Sequence, residues 1–289
     1  MNSESTFSGA TESVFQRAVI AAAFSPRLIA VLNQAHAFLK PLGAIPIIVH
    51  VGEETPEIRL KLEKAVAQSA FRDHPPVSIT REGHPADVLI KQAQEQRADL
   101  IVAGALQHEG LLRYYIGSIA RTIARSAPCS VLLFHDPKEK PRPFAKIHCA
   151  VEYDDESRYT AQLAANIAQL SGASDIFFTH SFRMPEDPDQ RKTKRSSREI
   201  VKIYSDQDEH LKAFLADLEL NYITLQTRTI VEKHHASTLH FTRHINADLF
   251  VIPGPRHRLA LWNRLFPQEV ELALQNLPCS LLIARKTIF

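Results

Sequence analysis

The segment Gly104-Ala-Leu-Gln107-His108-Glu-Gly110-Leu-Leu-Arg113-Tyr-Tyr-Ile-Gly117-Ser118 is the part of this sequence best equipped for chemistry. Gly104 lets backbone approach a ligand closely, and Gly117-Ser118 puts a glycine and a hydroxyl where a helix is about to start. Unpaired N–H groups and the helix dipole at such a point favour an anion, above all phosphate. The same residues also make an ordinary glycine turn with a helix cap, and both readings stay open at this level. His50 and His180 end matching apolar runs, where a satisfied structural histidine is the expectation. His234, His235 and His240 cluster, but His235 and His240 are off the helical spacing of three or four. With no Cys-x2-Cys or His-Glu-x2-His pattern, no metal is predicted. A nucleophile elbow, a full Walker loop and a triad are likewise missing from the sequence.

These residues need a scaffold, and the sequence writes it twice. Ala98-Asp99-Leu100 ahead of Pro128-Cys129-Ser130 returns, roughly 150 residues later, as Ala247-Asp248-Leu249 ahead of Pro278-Cys279-Ser280. Apolar runs at 17–23, 45–51, 77–81, 99–103 and 130–134 alternate with helical patterns, and Gly43 stops the first helix. The plan restarts with strands expected at 147–151, 176–180, 223–230 and two more. Such alternation predicts parallel sheets with helices on both faces. Asp136 to Pro143, charged and proline-rich, reads as a linker, which sets domains at 15–137 and 145–289. Residues 183–198 are polar, with Arg191, Lys192, Lys194 and Arg195, and have no counterpart in the first half; a surface loop or a docking element is expected there.

Composition narrows the partners. The 289 residues carry a net charge of +2, which excludes a strong basic field for nucleic acid or a membrane surface. Three cysteines, two of them at matching strand positions, read as buried filler and not as a disulfide framework. No apolar run near 18 residues and no export signal is visible, so a cytoplasmic, reduced protein is expected.

In an open parallel sheet, ligands bind beyond the carboxyl ends of the strands. In the first half that edge gathers Ala23 to Ser25, His50, Val51, Gly83 and the Gly104 loop. The second half departs from it. Its first strand ends at Glu152, its loop runs Gly254-Pro-Arg256-His257-Arg258, and Pro267 replaces the Gly-Ser and lacks an N–H. Arg256, His257, Arg258 and Arg264 could meet an anion by side chain or form a solvated basic loop. Trp262 reads as a core or interface aromatic.

The layout resembles a tandem universal stress protein. The ATP-binding branch of that family carries Gly-x2-Gly-x9-Gly-Ser/Thr after its fourth strand, and Gly104, Gly117 and Ser118 fall on its first and last elements. Gln107 stands at the second glycine, and Ala23 where the family usually has an aspartate at the end of the first strand. Glu82 to Ala86 and Ile48 to Val51 resemble the family's third-strand and second-strand segments. The resemblance implies an α/β fold of two tandem open parallel five-stranded sheets with helices on both faces, Rossmann-like and adenine nucleotide alpha hydrolase-like. It implies a pseudo-dimer joined through Val131 to Phe134 and Leu281 to Ala284, and further dimerisation of the whole chain. It also implies a stress-response binding or signalling protein without high turnover. ATP or AMP would lie on Gly104, Gln107, Gly117 and Ser118, with Ala23 and Val51 near the base or ribose. A scaffold that binds no nucleotide and recruits a protein partner, and a weak nucleotide hydrolase, are the alternatives.

Overall fold

The apolar runs of both halves line up in a single sheet. The computed structural model describes residues 14–104, 106–107, 114–115, 117–185, 196–218, 220, 225–232, 236–254, 268–275 and 277–287. The first half contains β1 (Arg17–Ala21), α1 (Leu28–Leu42), β2 (Ile45–Val51), α2 (Pro56–Gln68), β3 (Val77–Arg81), α3 (Pro85–Glu95) and β4 (Leu100–Gly104). It continues with β5 (Leu106–Gln107), β6 (Tyr114–Tyr115), α4 (Ser118–Ser126) and β7 (Ser130–Phe134). The second half contains β8 (Lys146–Ala150), α5 (Asp155–Ser171), β9 (Asp175–Phe182), α6 (Ser197–Ala216) and β10 (Leu225–Val231). It ends with α7 (Ser237–His244), β11 (Leu249–Pro253), α8 (Gln268–Gln275) and β12 (Ser280–Ala284).

Ten strands run in the order β10-β9-β8-β11-β12-β7-β4-β1-β2-β3. Every pair in it is parallel except β7 with β12, which is antiparallel and matches Leu281 to Leu133, Leu282 to Leu132 and Ile283 to Val131. The expected pairing of the last strands is therefore present, and it fuses the two expected sheets into one. Both seam strands are buried along their whole length. Leu132, Phe134, Leu282 and Ala284 face the core under α1, α2, α5 and α6. Val131, Leu133, Leu281 and Ile283 face the core under α3, α4, α7 and α8. Neither core stops at the boundary between the halves.

The repeated sequence frame has a structural meaning at each of its polar positions. The Asp99 carboxylate accepts the Gln16 and Arg17 amides at 2.7 and 3.1 Å, fastening the start of β1 to β4. Asp248 accepts the Ala145 and Lys146 amides at 3.0 and 2.8 Å and does the same for β8 and β11. The two serines work across the seam. Ser130 Oγ accepts the Arg285 amide at 3.0 Å and donates to the Arg285 carbonyl at 3.2 Å, and Ser280 Oγ accepts the His135 amide at 3.4 Å. Cys129, Cys149 and Cys279 are buried and unpaired, and burial pushes their thiols upward, Cys129 to about 12.

Helix ends follow local chemistry. Gly43 and Gly172 close α1 and α5 in the left-handed conformation at φ 68° and 67°, which costs a glycine little. Thr55, Asp154 and Ser196 cap α2, α5 and α6 through their side chains. The proline-rich segment after β7 is fastened to α1. Asp136 pairs with Arg27 at 2.5 Å, and Asn33 donates to the Glu139 carbonyl at 2.7 Å.

One buried polar network was not foreseen. His148 is wholly enclosed, with Phe250 stacked on it at 4.8 Å. Thr242 donates its hydroxyl to the Thr238 carbonyl, so its oxygen accepts the proton on His148 Nδ1 at 2.8 Å. Nε2 is then bare and accepts from Thr179 at 2.8 Å. Burial pulls His148 down to about 3.

Two outcomes follow from this packing. Leu132→Ala, at a fully buried seam position, should lower stability by about 2–5 kcal/mol in urea titration. Because both cores cross the seam, hydrogen exchange should quicken in β8 and β11 together with β1 and β4; protection retained in one half would refute that coupling. His148 has a folded value below its unfolded one, so its contribution is complete above about pH 6.5 and is lost as pH falls toward 3. The loss is on the order of 5 kcal/mol. His148→Gln should flatten that part of the stability profile, and a variant as acid-sensitive as the parent would refute the assignment.

Candidate functional site

Strand order reverses direction between β1 and β4, and doubly wound sheets hold ligands beyond the carboxyl ends at such a point. The expected site residues have these places in the fold. Ala23 lies just beyond β1 and is exposed, Val51 closes β2 half-buried, and Gly104 is the last residue of β4. Buried Gly117 is the N-cap of α4 and exposed Ser118 its first residue. Among the described residues no side chain caps that helix, and its first N–H groups have no partner within the helix. The first-turn dipole is equally unopposed, since α4 carries no acidic residue there.

Two glycine readings change. A Cβ on Gly104 would stand 2.8 Å from Val31 Cγ2, so α1 packing alone requires a glycine there. Gly117 has φ −61° and ψ 164°, extended backbone that other residues adopt as well. Gln107 lies in the two-residue ribbon β5–β6, paired with Tyr114. In the second half, the end of the β4–β7 ladder at Gly104–Phe134 corresponds to the end of the β11–β12 ladder at Pro253–Ala284. The residue in register with Gly104 is thus Pro253, and Gly254 stands one position beyond.

β1 ends at Ala21, short of the expected 23. The Ala22 amide still donates to Val49 at 2.8 Å, but the Ala22 carbonyl accepts from His50 Nδ1 at 2.8 Å and cannot extend the ladder. Phe24 packs against the His50 ring at 4.2 Å, with Lys61 Nζ 4.4 Å from the Phe24 centroid. The second half repeats the device. His180 Nδ1 donates to the Val151 carbonyl at 2.9 Å, and Tyr153 stacks on His180 at 4.1 Å. Burial outweighs that carbonyl and lowers the His180 value, and Glu152 lies 3.5 Å from its Nδ1. The paired histidines were legible as structural. Their aromatic partners were missed, although each stands two residues after the carbonyl its histidine binds.

Among the described residues, no three His, Cys, Asp or Glu side chains are grouped to hold a metal ion. His234, His235, Arg256, His257, Arg258, Trp262, Arg264, Pro267 and residues 186–195 lie outside the described residues. A separate groove lies between α6 and the edge strand β10, lined by Val201, Tyr204, Asp208 and Arg228, and none of the expected site residues borders it. No helix among the described residues is long and apolar enough to cross a membrane.

Doubly wound halves with helices on both faces of a mostly parallel sheet define a Rossmann-like α/β protein. Residues 8–135 match the model of the universal stress protein family. A universal stress protein of Methanothermobacter thermautotrophicus is 31% identical over 108 residues, which cover 36% of this chain and 70% of that protein. One from Methanocaldococcus jannaschii is 33% identical over 88 residues, covering 30% of this chain and half the length of that relative. The chain belongs to the universal stress protein family. A functionally unknown protein of Pseudomonas aeruginosa PAO1 has the same fold, with a TM-score of 0.70 at 15% identity over 93% of this chain and 92% of that one.

Proposed function

We propose that the chain is a tandem universal stress protein, with domains at 15–137 and 145–289, that binds an adenine nucleotide in the first domain. It works in the cytoplasm as a binding and signalling protein and not through turnover. The observation that carries this reading is the uncapped α4 N-terminus at the carboxyl edge of the sheet, with Gly117 and Ser118 at its start. Phosphate oxygens of ATP or AMP lie against the first α4 amides and the Ser118 hydroxyl, with Gly104 and Gln107 on the approach to them. Val51 and Ala23 flank the base or ribose. The Ala23 methyl in place of a carboxylate removes a hydrogen-bond acceptor, a loss on the order of 1 kcal/mol, so affinity is modest. In this reading whole chains pair further into a homodimer, which the native mass in solution tests.

Calorimetric titration with ATP, ADP and AMP, with and without magnesium, tests the nucleotide site. Ser118→Ala should weaken binding about three- to tenfold, the equivalent of one lost hydrogen bond, and Gly117→Val more. Pro267→Ala should leave it unchanged. No heat up to millimolar nucleotide would refute the site and favour a scaffold that recruits a protein partner, with residues 183–198 as the first segment to delete. Phosphate release during the titration would show that the protein is a weak hydrolase.

A further inference from the structure

Arg285 leaves β12 directly after Ala284 and is only 4% exposed. Its guanidinium is enclosed between the two halves. Nη2 donates to the carbonyl of Ala124, one of the last four of α4, which have no partner within the helix. Nε and Nη1 are buried and have no hydrogen-bond partner among the described residues. The side chain runs across Gly254, where a Cβ would stand 2.5 Å from Arg285 Cγ and 2.8 Å from Nε. Among the described residues, the titratable neighbour acting on its charge is Cys129, whose thiol stays neutral near pH 7 because burial pushes it to about 12. Desolvation pulls Arg285 down to about 10, so it remains a cation.

A full positive charge thus lies at the carboxyl edge of the second half with a helix carbonyl for company and no carboxylate among the described residues. A buried cation with two unanswered nitrogens is a receptor short of an acceptor. The missing partner must be negative and rich in oxygen, because a guanidinium donates and never accepts. Its place also fits, since Gly254 follows β11 at the edge where parallel sheets hold ligands. We propose that Arg285, over Gly254, is an oxyanion site that takes a phosphate-class group in the second half. The first half offers an open helix N-terminus at the equivalent edge, whereas Pro267 has no N–H to give. The site is independent of the nucleotide reading of the first half.

Thermal unfolding of the full chain at fixed ionic strength tests it, with chloride replaced by inorganic phosphate or by AMP. Phosphate at ten times its dissociation constant should raise the midpoint by about 3 °C. Gly117→Val, which removes the first-half site, should keep the rise, and in that background Arg285→Met and Gly254→Ala, which drives a methyl into Arg285, should abolish it. A rise with phosphate alone means a free ion is the ligand; a rise with AMP that is also lost in Arg285→Met means the phosphoryl group of a larger molecule. No rise in the Gly117→Val protein, or a full rise when Arg285→Met is added to it, would overturn the proposal. Should Arg285→Met or Gly254→Ala fail to fold, phosphorus-31 line broadening of phosphate by Gly117→Val decides: broadening supports the site and its absence overturns it.

Discussion

The antiparallel pairing of β7 with β12 is the constraint from which the rest of the molecule follows. Each half alone would leave its last strand as a bare edge of N–H and C=O groups. Joined, the two strands are buried on both faces, and every apolar seam side chain belongs to one of two cores that span the whole sheet. Burial this complete leaves polar groups near the seam no water to turn to, so they answer one another. Ser130 serves both main-chain groups of Arg285, and Ser280 serves His135.

Antiparallel pairing also fixes where chemistry can occur. The carboxyl edge of one half abuts the amino edge of the other, so the two crevices open on opposite margins of a common sheet. Helix α4 reaches from one margin to the other. Its N-terminus faces the Gly104 crevice, while its C-terminal turn meets Arg285, and Arg121 and Arg125 reach Glu271 of α8 at 3.5 and 2.5 Å. A partly buried pair of arginines on one carboxylate holds Glu271 below its usual range, and it ties helices from different halves together on that face of the sheet.

Much of this architecture is legible in the sequence, because strands apolar on both faces and helices with one apolar stripe are local patterns. Arg17–Ala21, Ile45–Val51 and the Gly43 stop can be read from neighbouring residues alone. What resists reading depends on register between distant segments. Asp99 looks like a strand-end acid until β1 is laid beside β4, where its carboxylate meets two amides about eighty residues earlier. His148 looks like a polar interruption until Thr179 and Thr242 close around it. Arg285 looks like an ordinary terminal cation until the seam covers it. Gly104 carries a demand its neighbours in sequence do not reveal: besides allowing close backbone approach, it leaves the space that Val31 of α1 occupies.

The reciprocal serines carry a consequence for how such a molecule can change. In a symmetric pair of identical chains, any substitution at the seam appears twice, and both copies must tolerate it. With both halves in one chain, each position varies alone. Ser130 and Ser280 still mirror each other, but their partners have diverged into an enclosed arginine and a half-buried histidine. Covalent linkage replaces a symmetry requirement with two separate freedoms.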